Sequence, residues 1–274
     1  MAPLAWREVG SGPPLVLHPG GPGCSGRHFG ELPELAAERT LILLDPRGTG
    51  DSERPADRSD YDLEAYAADV EDVRRALGLD KLDFLGHSHG GFVGMTWGGT
   101  YPDSVGRLIL ANTTARFTDA IRARGMERAA LHQRQPYFED AIAARMEQQA
   151  GNYSNDEELI ALYQRAGPVL APPGVDISPI VDAFRRSGMN SDAIKHFNAT
   201  TAPTMDLRPL LDRIEAPTLV LAAEHDFFEP SAAEIAASLH DPTLIVIPGS
   251  DHFSYLEPGG RAPWSRAVLD FLDA

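Results

Sequence analysis

The sequence predicts an α/β fold in which a mostly parallel sheet is flanked by helices and interrupted by a helical insertion. Three observations carry that expectation. Short apolar runs recur along the chain, helical stretches lie between several of them, and the segment from about Asn112 to Met205 has helical periods without a strand-like run. Strands are expected over 15–17, 40–44, 82–85, 107–110, 218–221 and 243–247. Each run is apolar on both faces, as strands covered by helices on both sides must be. Leu63, Tyr66, Ala67, Val70, Val73 and Leu77 form one stripe of a helix that Gly78 stops. A helix is also expected to follow Ser88 and run through Tyr101. In the insertion, Pro136 opens a helix expected to face Tyr137, Phe138, Ile142 and Met146 inward, and Ser154-Asn155-Asp156-Glu157 reads as a capping box. The βα rhythm resumes near Ala216-Pro217, which divides the chain into a core of residues 1–112 and 205–274 and a helical cap of residues 113–204.

Composition narrows the function classes. The 274 residues are enough for one large domain with an insertion. A net charge of −16 repels phosphate backbones and anionic membranes, which argues against nucleic acid and membrane partners and suits either plain solubility or attraction of cationic substrates such as peptide amino termini. The single cysteine, Cys24, excludes an intrachain disulfide, and no partner beside it suggests a nucleophile. No signal peptide or membrane-spanning run is apparent, so a cytoplasmic protein is expected. The sequence assigns no oligomeric state.

Four motifs carry chemistry. Gly86-His87-Ser88-His89-Gly90-Gly91 follows a strand and opens a helix, the context of a nucleophile elbow. There a serine on a tight turn lifts its Oγ into a cleft, and the glycines two residues either side let strand and helix approach. His18-Pro19-Gly20-Gly21-Pro22-Gly23, after the first expected strand, can present the Gly21 N–H to an oxyanion; Pro22 has no N–H to give. The second donor would be the N–H of His89. Asp226 stands past the strand 218–221, further into the turn than its competitor Glu224, where a carboxylate faces the same rim as the elbow. Glu224-His225-Asp226 has no distant His or Cys set of metal-ligand spacing, so no metal and no cofactor are expected. Of nine histidines, only His252 sits on a glycine-marked loop after a late strand, where a general base belongs. His87 and His89 are expected to point away from Ser88, and His225 and His240 to lie at the surface. Ser88, Asp226 and His252 thus follow the chain order of an α/β-hydrolase catalytic triad.

With these residues in place, the sequence resembles α/β-hydrolases of the proline iminopeptidase-like branch, over about residues 8–112 and 205–274. Asp45-Pro46-Arg47-Gly48-Thr49-Gly50-Asp51-Ser52 marks the broad superfamily, and Gly20-Gly21-Pro22-Gly23 the narrower branch. The resemblance implies an α/β-hydrolase fold with an inserted helical cap, a site where cap meets core, and a serine hydrolase acting through an acyl-enzyme on a small molecule or short peptide. An aminopeptidase or small-amide hydrolase is the first expectation; a carboxylesterase or lactonase, or a non-catalytic receptor on the same fold, are the alternatives. Two departures stand out. Pro19 separates His18 from Gly20-Gly21-Pro22-Gly23, and the cap lacks the Trp-Glu segment that helps bind a substrate's amine in proline iminopeptidases. Glu127, Glu139, Glu147, Glu157 and Glu158 are the cap acids that could meet an amine instead, although each also suits a solvated helix face.

Overall fold

The computed structural model describes residues 3–274. In chain order it runs β1 (Ala5–Gly10), β2 (Pro14–His18), α1 (Pro33–Ala36), β3 (Thr40–Asp45), α2 (Leu63–Ala76), β4 (Leu82–His87), α3 (His89–Thr100) and β5 (Val105–Ala111). Six helices follow: α4 (Asp119–Ala130), α5 (Phe138–Gln149), α6 (Asp156–Ala166), α7 (Ser178–Ser187), α8 (Ser191–His196) and α9 (Arg208–Leu211). A π-helical turn, Phe197–Thr201, continues α8. The core resumes with β6 (Thr218–Ala223), α10 (Glu229–Ala237), β7 (Pro242–Ile247) and α11 (Arg261–Asp273). Six helices and the π-helical turn thus lie between β5 and β6, where the sequence predicts helical periods without a strand.

The seven strands make one sheet in the order β1-β3-β2-β4-β5-β6-β7. All neighbours are parallel except β1, which pairs antiparallel with β3. Alternate strand residues feed two cores. Leu15, Leu17, Leu41, Leu43, Leu85, Ile109 and Leu219 pack on one face, with Trp264 and Val268 of α11. Val16, Ile42, Phe84, Leu108, Leu110 and Val220 pack on the other, with Val70 and Val73 of α2 and Val93 and Trp97 of α3. This two-sided burial is why these strands are apolar throughout. β7 departs from that expectation. It is an edge strand, and Leu244 and Val246 are exposed.

The order of the strands locates the crevice. The chain moves from β2 outward to β3, then returns across β2 to β4, so β2 and β4 are neighbours whose connections leave in opposite directions. A cleft opens beyond the carboxyl ends of strands at such a switch point. The segment after β3 braces this edge. The Asp45 carboxylate accepts from the N–H groups of Gly26 (2.9 Å) and Asp51 (3.0 Å), and Ser52 Oγ donates to the Asp45 carbonyl (2.6 Å). Gly50 has φ of 52°, and a Cβ there would lie 2.1 Å from Asp45 Oδ2, so the glycine is required twice over. Arg47 grips Asp69 with two bonds of 2.7 Å. The Asp45–Ser52 stretch thus holds a loop in place.

Two details of the cap differ from expectation. Met146 is exposed, because the inward side of α5 is the adjacent stripe of Ala141, Ala144 and Arg145. The amino terminus of α6 is capped by Asn155, which accepts from the Glu158 N–H, while Glu158 reaches back to the Ser154 N–H. The cap sits one residue later than the sequence predicts, and the return bond reaches the residue before it.

Candidate active site

Five loops leave the carboxyl edge of the sheet toward one cavity of about 320 Å³, a volume suited to a small molecule. Between β4 and α3 stands a single residue, Ser88, with φ of 53° and ψ of −112°. Such a conformation costs a non-glycine residue on the order of 1–3 kcal/mol and persists only where its surroundings enforce it. Here the Ser88 N–H donates to the Ala111 carbonyl (2.9 Å), and the Ser88 carbonyl accepts from Thr113 Oγ1 (2.8 Å). The flanking glycines are equally constrained. A Cβ on Gly86 would meet the Gly90 carbonyl oxygen at 2.1 Å, and one on Gly90 would meet that of His18 at 2.2 Å.

The loop after β2 lies against this turn, since a Cβ on Gly20 would come within 3.0 Å of Ser88 Cβ. Gly21 follows with φ of 64° and lines the cavity together with His89. Neither the Gly21 N–H nor the His89 N–H meets an acceptor among the described residues.

Asp226, past the end of β6, is fully buried, and one of its oxygens accepts from the Phe228 N–H at 3.1 Å. The ring of His252, past β7, places Nδ1 at 3.0 and 3.1 Å from the two carboxylate oxygens. A carboxylate only accepts, so the Nδ1 proton is the one donated and Nε2 is left with a free lone pair. Phe227 stacks on the imidazole, centroid to centroid 4.5 Å. Ser88 and His252 both line the cavity, although no hydrogen bond joins the Ser88 hydroxyl to the ring among the described residues. Such bonds are often long in unliganded enzymes and tighten around a substrate. The structure therefore brings Asp226 and His252 into contact, and Ser88, Gly21 and His89 to the same cavity wall.

Several residues that the sequence does not single out hold His252 in position. The His252 carbonyl accepts from His87 Nε2 (2.8 Å) and from Asn112 Nδ2 (2.9 Å), and Asn112 also donates to the Asp251 carbonyl (3.1 Å). His87 thus does not turn away from the site as expected; it props the loop that carries His252 and lines the cavity. Burial drives the His87 pKa well below the usual histidine range. The His89 pKa falls the same way and for the same main reason. Burial also pushes the Cys24 thiol up to about 12, which leaves it a protonated core residue. The one advance signal for Asn112 was its place at the carboxyl end of an expected strand.

Behind His252, Arg128 of α4 pairs with buried Asp251 at 2.5 Å and also donates to the carbonyls of His225 and Leu170. Burial raises the Asp251 pKa, and Arg128 opposes the shift. Glu257 accepts from the Asp251 N–H (3.1 Å), and burial pushes its pKa up to about 7 from an ordinary 4.5. A raised folded-state pKa means the native state binds the extra proton. Stability from this group is full below about pH 4.5 and is lost as pH climbs through about 7. Glu257→Gln is therefore expected to melt above the wild type at pH 8 and to converge with it near pH 4.5, a difference of up to about 3 kcal/mol read from denaturant melts across that window. Parallel curves for the two proteins would contradict this.

Comparison with known proteins agrees with the architecture. The family described as alpha/beta hydrolase fold matches residues 13–258. The chain is 26% identical over 256 residues to a proline iminopeptidase of Lactiplantibacillus plantarum, covering 89% of this chain and 87% of that one. It is 27% identical over 278 residues to a 2-(acetamidomethylene)succinate hydrolase of Mesorhizobium japonicum, covering 98% and 91%. The match to the proline iminopeptidase of Heyndrickxia coagulans is 35% identical but spans only 36% of that protein's length. Among solved structures, a hydrolase from Pseudomonas aeruginosa PA01 superposes with a TM-score of 0.68 at 29% identity, over 100% of this chain and 95% of that one.

Proposed function

The chain belongs to the α/β-hydrolase fold family, and from that premise we propose that it is a serine hydrolase that cleaves small acyl amides or esters through an acyl-enzyme. The observation that carries this reading is the buried Asp226–His252 pair, which leaves a free Nε2 in the cavity that also holds the strained Ser88. His252 Nε2 takes the Ser88 proton as Oγ attacks the substrate carbonyl carbon. The resulting oxyanion is held by the N–H groups of Gly21 and His89, each typically worth about 3–4 kcal/mol in such a transition state. The imidazolium then protonates the departing amine or alcohol. Water, deprotonated by the same nitrogen, releases the acyl group as a carboxylic acid and restores Ser88.

Proline iminopeptidase and 2-(acetamidomethylene)succinate hydrolase stand among the proteins this chain is similar to. None of Glu127, Glu139, Glu147, Glu157 or Glu158 lines the cavity, so no cap acid among them is placed to receive a substrate's free amine. This favours simple acyl amides and esters within the proposed range.

The test is labelling with an active-site-directed aryl phosphonate, followed by kinetics on a matched acyl amide and ester. Stoichiometric modification mapped to Ser88 is expected, together with turnover that needs no free amine. Folded protein that stays unlabelled would favour a ligand receptor built on the same fold.

A further inference from the structure

Among the described residues, the charged side chains that line the cavity are both arginines, Arg128 and Arg145, and no aspartate or glutamate lines it. This is a local reversal in a chain of net charge −16. The two cations are in different situations. Arg128 is committed to Asp251 and to two backbone carbonyls. Arg145, on the inward stripe of α5, makes neither an ion pair nor a hydrogen bond among the described residues. Burial pushes its guanidinium pKa down, Tyr163 opposes the shift, and Arg128 adds to it. An arginine nonetheless stays charged, because its pKa starts so high. A partly desolvated cation without a counter-ion is costly unless something in the cavity pairs with it.

We propose that Arg145 is a specificity-determining residue that binds a carboxylate on the substrate, so that the acyl compounds cleaved at Ser88 carry a second, anionic end. The planar fork of a guanidinium matches a carboxylate with two parallel bonds. One free guanidinium balances one monoanion, which suits a carboxylate better than a doubly charged phosphate ester. A free ammonium would meet two like charges here and no carboxylate. The Gln148 and Gln149 side chains line the same part of α5 as further polar contacts, and the remaining lining is largely aromatic and aliphatic, as with Phe117, Phe184, Phe197, Phe227 and Phe253. The substrate is thus a short acyl chain with an apolar middle, its reacting carbonyl at one end and its carboxylate at the other. The assignment rests on the hydrolase reading for the position of the reacting carbonyl and on Arg145 alone for the carboxylate.

The experiment compares 4-nitrophenyl monoesters of succinic, glutaric and adipic acids with those of butanoic, pentanoic and hexanoic acids, corrected for spontaneous hydrolysis. At the best length the wild type is expected to favour the carboxylate-bearing ester on the order of 10- to 100-fold in kcat/KM, the range of a charge-assisted contact. Arg145→Gln should bring that ratio to about 1, Arg145→Lys should keep part of it, and Arg145→Glu should invert it. Most of the change should appear in KM. A wild-type ratio at or below about 1 for every length overturns the proposal even if no variant folds, and so does an undiminished ratio in a folded Arg145→Gln. Either result leaves the hydrolase reading intact if the neutral esters are cleaved and the phosphonate labels Ser88. If neither series is cleaved and Ser88 stays unlabelled, the hydrolase reading fails, and thermal melts with glutarate decide the rest. Stabilisation of the wild type that Arg145→Gln loses supports the carboxylate site; equal shifts, or none, overturn it.

Discussion

Replacing Ser88 with alanine is expected to lower kcat about 10⁶-fold, the loss typical when the nucleophile of an acting triad is removed. The residual rate would come from the Gly21 and His89 donors and from binding, neither of which needs the hydroxyl. Stability should separate from activity at the same position. Ser88 has φ of 53° because the turn between β4 and α3 has one residue to reverse direction, and the hydroxyl is thereby lifted into the cavity. Alanine keeps a Cβ and keeps the strain. Ser88→Gly removes both hydroxyl and Cβ, relieves on the order of 1–3 kcal/mol of strain, and gives back about 0.5–1 kcal/mol in chain entropy. The glycine variant should therefore be as inactive as the alanine variant and melt a few degrees above it. Steady-state hydrolysis of an aryl ester and a calorimetric scan of the three proteins check both halves. Activity in either variant within about tenfold of wild type would remove Ser88 from the mechanism.

How much of this was legible in the sequence follows from which forces act locally. Five of the six strands read in the sequence, β2 to β6, lie in the parallel part of the sheet and are mostly buried on both faces, which writes itself as unbroken apolar runs; β7 carries such a run although it lies at the exposed edge. β1 was missed. Its Ala5-Trp6-Arg7-Glu8-Val9 is partly exposed and gains its place by antiparallel pairing with β3, some thirty-five residues away, which no local pattern announces. Met146 was misjudged because the helical period fixes a stripe's spacing and leaves its direction open. Small residues, Ala141 and Ala144, let α5 pack close, and they set the inward side. The triad candidates were legible for a different reason. Elbow, acid and base each follow a strand of a parallel sheet, and parallel strands bring all their carboxyl ends to one edge. Asn112, His87 and Arg145 are ordinary residues in sequence; what they do depends on which loop or helix the fold sets beside them. Arg145 in particular is distinguished by having no ion-pair or hydrogen-bond partner among the described residues, a property visible only in three dimensions.

The buried Asp226–His252 pair gives the second large expected effect. Asp226→Asn is expected to cost on the order of 10⁴ in kcat with little change in the melting temperature. The substitution keeps the shape of the side chain and leaves room for the same ring. Its consequence is electronic. The Asp226 carboxylate accepts from His252 Nδ1 at 3.0 and 3.1 Å, which fixes the proton on Nδ1 and leaves Nε2 able to take one from Ser88. An amide can turn its NH₂ toward Nδ1 and donate, which moves the ring proton to Nε2, the wrong tautomer for a general base. It also withdraws the negative charge that stabilises the imidazolium during transfer. Asp226 is fully buried and the ring is backed by Phe227, so water has little access to take over either role. Because the props on the His252 carbonyl, His87 and Asn112, are untouched, the ring should stay in place and the loss should appear in kcat. Phosphonate labelling of Ser88 should slow in proportion. A loss below about tenfold would mean that the pair positions the loop and does not drive proton transfer, and the base would have to be sought elsewhere along the cavity wall.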